Sequence, residues 1–315
     1  MKSMLTRTLL TITVVLATTG NVFSQENAVF DFLRIPMNAR AAALGNTFLT
    51  MQNDAAMLFS NPGALSSLEG PAASVGFVKH LMDINAGYAV YGQEFENLGW
   101  LSAGVTYVNY GSFDETDKFG NTLGTFGASD LALSVGYGNR YDNLHYGAAV
   151  KLIYSYIDDY SASGLALDAG VSYHIPDEQM VIAAGLFNAG TQVSSFGDEN
   201  ESLPFDVRLG VGKKLEHLPL TIMLNFHKLN EDADGVFDRF KNFSLGGEFE
   251  LSNALRARVG YNNEQRDELK IGNSAKLAGF SGGFGLSIAT YVVDYAYNSF
   301  GEIGAMHRFS ISTMF

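Results

Sequence analysis

With 315 residues, no cysteine and a formal net charge of −13 at neutral pH, the chain has no thiolate metal site, disulfide framework or cysteine nucleophile. It also lacks the basic balance of a nucleic-acid binder. Tyrosine (15), phenylalanine (23) and glycine (34) are abundant while proline (6) and tryptophan (1) are scarce, a strand-rich composition.

The first element is a targeting segment. Lys2 and Arg7 precede an apolar run over residues 9–17, and Val22, Phe23 and Ser24 come just before Gln25. Residues 1–24 therefore read as a secretory signal peptide cut after Ser24. The apolar run is too short to span a bilayer and is broken by threonines. Beyond it no stretch approaches the ~20 continuous apolar residues of a membrane helix. A place in a membrane would then require a β-barrel, the other structure that satisfies every backbone group in lipid.

Residues 25–71 differ in character from the rest of the mature chain. The alanine-rich stretch over residues 37–44 has helical propensity, and Gly45 is a natural stop. Asp54 is placed to cap a short apolar turn, and Asn61, Pro62 and Gly63 form a tight-turn signal. This segment is expected to be a short helical plug inside a barrel formed by residues 72–315; an unspecialised helical hairpin is the bland alternative.

From about residue 72, period-two alternation recurs. In "DLALSVGYG", Leu131, Leu133, Val135 and Tyr137 oppose Asp130, Ala132, Ser134 and Gly136. "GLALDAGVSYHI", "PFDVRLGVG" and "ALRARVGYN" repeat the pattern. A soluble sandwich would turn the apolar face to its core, and an outer-membrane barrel would turn it to lipid. Glycine and serine weaken a solvated strand but suit a crowded lumen. Tyrosines near strand ends, Tyr107, Tyr110, Tyr137 and Tyr173 among them, would form interfacial girdles.

Connection lengths separate the two readings. Short links ("ENLG", "NRYDN", "IPDEQ", "KLEH", "LSNA") alternate with long polar ones ("GSFDETDKFGNTLGTFGA", "NAGTQVSSFGDENESL", "LNEDADGVFDRFK", "NNEQRDELKIGNSAK"). Sorted loops are the outer-membrane plan. The fold expected is all-β, a transmembrane up-and-down antiparallel barrel of about 14 strands with a short helical N-terminal plug. An even strand count returns both termini to the periplasm, so the N-terminus is expected to face that side.

The polar faces carry Asp168, Asp206, Arg208, Glu248, Arg256, Arg258, Asp294 and Arg308, a lumen either cross-linked by ion pairs or merely solvated by them. The histidines are scattered without metal-ligand spacing, and no G-x-S-x-G elbow is present. No catalytic, metal or cofactor residues are assigned, and the chain is not expected to be an enzyme. The ending "GAMHRFSISTMF" alternates up to a terminal Phe315. A last strand paired with the first would hold that end.

"FLRIPMNARAAALGNTFLTMQNDAAMLFSNPGALSSL" resembles the N-terminal signature of the PorV/PorQ family, barrel proteins related to the FadL long-chain fatty acid transporters. Arg40, Ala41, Leu44, Gly45, Asp54, Asn61 and Pro62 carry the match, with Gly63 where the family usually has alanine. "NYGSFDETDKFGNTLGTFGASD" and "LPFDVRLGVGKKLEHLPL" resemble the PorQ branch, and "DYAYNSFGEIGAMHRFSISTMF" the ending shared across the group. The resemblance implies a 14-stranded, non-catalytic barrel of the type IX secretion system in the outer membrane of Bacteroidota or their relatives. Its partners would be PorZ-, PorU- and PorV-like components, cargo C-terminal domains and outer-membrane lipid. The terminal Phe315 resembles the signal by which such barrels reach their assembly machinery. The FadL kinship implies the alternative, a channel for long-chain fatty acids or other hydrophobic molecules.

Overall fold

A computed structural model describes residues 28–79, 84–231, 235, 237–270 and 276–315. The signal peptide expected over residues 1–24 lies outside the described residues. Fourteen antiparallel strands follow one another in space as in sequence, and the last closes on the first. They are β1 (Ala72–Lys79), β2 (Asn85–Phe95), β3 (Gly99–Thr116), β4 (Thr122–Tyr141), β5 (Leu144–Ile157), β6 (Tyr160–Ile175) and β7 (Met180–Ser194). The second half comprises β8 (Asp206–Lys214), β9 (Leu220–Phe226), β10 (Phe243–Glu250), β11 (Leu255–Asn262), β12 (Phe280–Ile288), β13 (Tyr291–Ser299) and β14 (Ala305–Met314).

Closure leaves no sheet edge, which is what lets a β structure sit in lipid. The pleat sets the two faces. On β4, Val135 is 59% exposed and its neighbour Ser134 is 2% exposed. The outward band includes Val75, Phe77, Leu133, Leu152, Leu167 and Ile311, an apolar belt that makes the chain an outer-membrane barrel. The eight charges of the polar faces, from Asp168 to Arg308, all turn away from this band and are buried or half-buried.

Three details depart from the sequence reading. "GSFDETDKFGNTLGTFGA" is no open loop, because β3 and β4 run through it and leave only residues 117–121 as the turn. Phe113 and Phe126 stack across this hairpin at 5.4 Å, and alternating threonines and aromatics favour strand there. Tyr110 is not part of a lipid girdle: three residues from outward-facing Tyr107, it has opposite parity, and its hydroxyl donates to Asp130 Oδ2 at 2.6 Å. The third departure concerns the N-terminal side. The barrel's own ends, Ala72 and Met314, pair at the short-turn rim, the periplasmic one. Ala28 instead bridges to Ser202 in the long loop after β7, so the described chain starts at the outer end and crosses the lumen once before β1.

At the C-terminus the Phe315 amide donates to Pro71 O at 2.8 Å, while its ring is 74% exposed on the lipid side. Phe315→Ala therefore removes little packing within the barrel, about 1 kcal/mol or less. The purified variant is expected to refold in detergent with an unfolding midpoint near that of the parent chain. A large drop would show that the ring holds the barrel shut.

Candidate functional site

The lumen is filled by residues 28–71, and the reason lies in the size of the side chains that meet. The short helix α1 (Ala39–Ala43) starts at Asn38, whose Oδ1 accepts from the Ala41 amide at 3.0 Å. Alanines give helical propensity with little bulk, and Ala39, Ala42 and Ala43 are wholly buried beside Ala296 of β13. Gly45 ends the helix at φ +65°, a left-handed conformation. A Cβ on Gly260 of β11 would fall on the Gly45 amide nitrogen, so the wall is glycine where the backbone of the segment presses against it.

The second half of the segment docks on the opposite wall. Asp54 Oδ1 accepts from the Ala56 amide at 2.9 Å, capping the 3-10 turn Ala55–Phe59. Asn61 Oδ1 accepts from the Gly63 amide at 3.2 Å and its Nδ2 donates to Leu49 O at 2.9 Å, which starts the turn Pro62–Ser67. A Cβ on Gly63 would lie 2.5 Å from Gly170 O on β6. Glycine at this position thus has a local cause, a backbone-to-backbone approach that leaves no room for a methyl group.

Charge ties the segment to the wall. Arg40 grips Glu248 of β10 through two bonds, Nε to Oε2 at 3.0 Å and Nη2 to Oε1 at 2.9 Å. Asp54 Oδ2 stands 3.7 Å from Arg40 Nη1. The same Glu248 accepts from Nε of Arg258, its cross-strand partner on β11, at 2.6 Å. Arg258 then reaches past Gly285 on β12, and its Nη1 donates to Asp294 Oδ1 on β13 at 2.5 Å. A Cβ on Gly285 would crowd Arg258 Nη2 at 2.7 Å. Bidentate arginine–carboxylate pairs are the strong, directional kind.

A second buried cluster braces the other wall. Asn188, at φ +57°, sits in a bulge of β7 opposite Asp168. Its amide donates to Asp168 Oδ1 at 2.8 Å, and Lys151 Nζ lies 2.6 Å from Asp168 Oδ2 and 2.8 Å from Asn188 Oδ1. Next to it Arg208 pairs with Asp206 at 2.6 Å and lies over the Phe187 ring at 4.7 Å.

Among the cavities left in the lumen, two are lined by many charged side chains. One of about 290 Å³, at the short-turn end, is lined by Arg40, Asp54, Glu248, Arg256, Arg258 and Asp294 among others. The other, about 280 Å³, lies under the long loops beside Arg34, Arg208, His227, Lys228, Glu264 and Arg308. Its roof includes the helix α2 (Asn263–Glu268), where Glu264 Oε2 lies 2.8 Å from His227 Nε2 and Oε1 pairs with Lys228. Burial alone would raise the Glu264 carboxyl, but the hydrogen bonds and charges of His227 and Lys228 outweigh it and hold the group at about 2.

The sequence-marked residues fall into two contacts and one outlier. Arg40, Leu44 and Gly45 meet β10–β12, Asn61, Pro62 and Gly63 meet β4–β6, and Asp54 lies beside Arg40. Phe315 stands apart, outside the lumen. The partners Glu248, Arg258 and Asp294 are visible in sequence only as inward charges, since cross-barrel pairing has no fixed spacing. His145 and His174 are scattered in sequence, yet their rings stack at 4.0 Å, with Ser66 Oγ 2.8 Å from His145 Nδ1. Both sit on the polar face of neighbouring strands, the one signal the sequence offers for them. Among the described residues no group of three or more His, Asp or Glu is placed to hold a metal.

These features define a closed, 14-stranded outer-membrane barrel with a chain segment packed through its lumen. No protein-family model and no curated protein matches the sequence. Among solved structures, the chain is similar to the Ralstonia pickettii toluene transporter TbuX (TM-score 0.59, 12% identity, 88% of this chain and 98% of that one). It is also similar to a mutant of the monoaromatic hydrocarbon channel TodX (TM-score 0.61, 13% identity, 88% and 99%) and to a Pseudomonas aeruginosa FadL homologue (TM-score 0.51, 11% identity, 88% and 98%). The fold is thus that of the FadL-like outer-membrane barrels.

Two outcomes are expected. Glu248→Ala leaves Arg40 and Arg258 buried without their shared carboxylate and costs about 3–5 kcal/mol, read as a lowered midpoint of denaturant unfolding; an unchanged midpoint would mean that the pairs are energetically idle. For Glu264 the folded-state pKa is depressed, so its contribution is present above the ordinary glutamate range and is lost as pH falls toward about 2. Glu264→Gln should weaken hydrogen-exchange protection of the long-loop rim at neutral pH and match the parent at about pH 2. Equal protection at both pH values would contradict this.

Proposed function

We propose that the chain is a plugged, non-catalytic barrel of a type IX protein secretion system, in the PorQ-like role of supporting the complex that processes and anchors cargo at the cell surface. The observation that carries the reading is the lumen. Residues 28–71 fill it, the Arg40, Glu248, Arg258 and Asp294 pairs tie them to the wall, and the cavities beside them are lined by many charged side chains. An apolar solute would have to pass buried charges, each costly to leave unpaired. A surface platform needs a rigid closed barrel with projecting loops, and the β3–β4 hairpin and the loop after β7 supply such projections. The PorV/PorQ-like residues lie at the contacts that hold the segment in place. The organism would be a member of Bacteroidota or a relative, and the partners PorU-, PorV- and PorZ-like proteins with cargo C-terminal domains. Phe315 would serve as the assembly address, so the Phe315→Ala chain that refolds normally should be depleted from outer membranes.

A channel for hydrophobic molecules is the second reading, and the fold comparisons favour it, since nothing in them bears on secretion. One feature of the wall also supports it. The outer face carries an apolar concavity of about 540 Å³ beside Tyr137, Tyr146, Val171, Leu186 and Leu209, floored by Gly147, Gly170 and Gly185.

Gene deletion separates the two. The secretion reading expects type IX cargo to be released or mislocalised while growth on fatty acids or aromatic hydrocarbons is unaffected. Normal surface cargo with slower growth on those substrates would replace it with the channel reading. In planar bilayers the intact protein should show no porin-like conductance, and removal of residues 37–65 should open one.

A further inference from the structure

Among the described residues Arg308 has no counter-charge. Its residue is 2% exposed, on the lumen face of β14, and it borders the cavity of about 280 Å³ beneath the long loops. Among the described residues no carboxylate stands within ion-pair distance of it. Its one hydrogen bond there runs from Nη1 to Oδ1 of Asn298, a neutral amide, and Nε has no partner. The other cations around the cavity are already matched: Arg208 by Asp206 at 2.6 Å, Lys228 by Glu264, and Arg34 by Glu231 at 3.7 Å.

A buried guanidinium without a carboxylate is costly and is normally paired or coordinated. Nε is enclosed without a partner, so the part of the guanidinium that borders the cavity is the part that can take a carboxylate or phosphate oxygen. We infer that the outer lumen cavity is a binding site for a small hydrophilic oxyanion, a phosphate or a short carboxylate, with Arg308 as its principal ligand.

The surroundings fit this class. Lys228 and His227 come from the loop after β9 and stand at the cavity's outer side, so the site is approached from the long-loop face. The acidic groups that would oppose an anion are spoken for, Asp206 by Arg208 and Glu264 by Lys228 and His227. Burial pushes the carboxyl of Glu268 up, toward its neutral form. Ile35, Pro36, Phe300 and Met306 also line the cavity, so its wall is mixed, and the oxyanion reading rests on the guanidinium. The inference is independent of whether the barrel serves secretion or uptake.

Isothermal titration calorimetry on the full-length protein in detergent micelles tests it, with inorganic phosphate, succinate and palmitate as separate titrants at constant ionic strength. Phosphate or succinate is expected to bind with one site per chain, and which of them binds identifies the source of the oxyanion. Arg308→Met should weaken that binding at least tenfold. Should that variant fail to show the heat-modifiable gel migration of a folded barrel, Asn298→Asp answers the same question. It places a carboxylate at the atom that already accepts from Arg308, at the cost of the Asn298 Nδ2 bond to Ala42 O, and should abolish anion binding by occupying the guanidinium internally. Absence of binding by either oxyanion, binding by palmitate alone, or binding that survives both substitutions would overturn the assignment.

Discussion

Glu248 is the group on which the inner architecture turns, because one carboxylate serves two arginines from different parts of the chain. Arg40 belongs to the segment that crosses the lumen and Arg258 to the adjacent wall strand. A closed barrel leaves its interior to be filled by side chains, by water or by another piece of chain. Here a piece of chain fills it, and its own backbone must then be satisfied away from bulk water. The short turns with Asn38, Asp54 and Asn61 as caps meet that demand locally, and the ion pairs fix the register against the wall.

Close approach and charge work together. Glycines on β11 and β12 are not only gaps for the segment. Gly285 lets Arg258 lie across a whole strand to reach Asp294, so the absence of a side chain on one strand completes an ion pair between its neighbours. On the opposite wall Gly170 and Gly63 bring two backbones together directly. A segment held from both sides in this way is constrained at two separate contacts, and loosening one leaves the other to hold the remainder.

Legibility follows locality. The strand count, the sorting of turns from loops and the lumen face of Arg258 or Asp294 follow from a period of two and from the cost of a charge in lipid, both readable residue by residue. Asp54 and Asn61 also carry a local signal, because a cap acts within three positions. Partnership across the barrel has no such signal. Nothing in the spacing of 208 positions between Arg40 and Glu248 marks a contact, and the His145 and His174 stack depends on the stagger of two strands. Tyr110 misleads unless its parity with Tyr107 is counted, and "GSFDETDKFGNTLGTFGA" misleads because its polarity resembles irregularity. Polar strands that project beyond the bilayer have no lipid face to reveal them.

The charge balance of the lumen carries the functional argument one step further. A passage for apolar solutes gains from walls that ask nothing of the solute, whereas these walls are organised around ions that ask for partners. In the inner half the demand is met within the chain: Arg40 and Arg258 are shared out among Glu248, Asp54 and Asp294. In the outer half it is met for Arg208 and Lys228 and, among the described residues, left open at Arg308. The two halves therefore differ in kind. The inner one is a closed electrostatic lock, consistent with a segment meant to stay in place, and the outer one is a chamber of mixed lining bordered by Arg308, which has no carboxylate partner among the described residues.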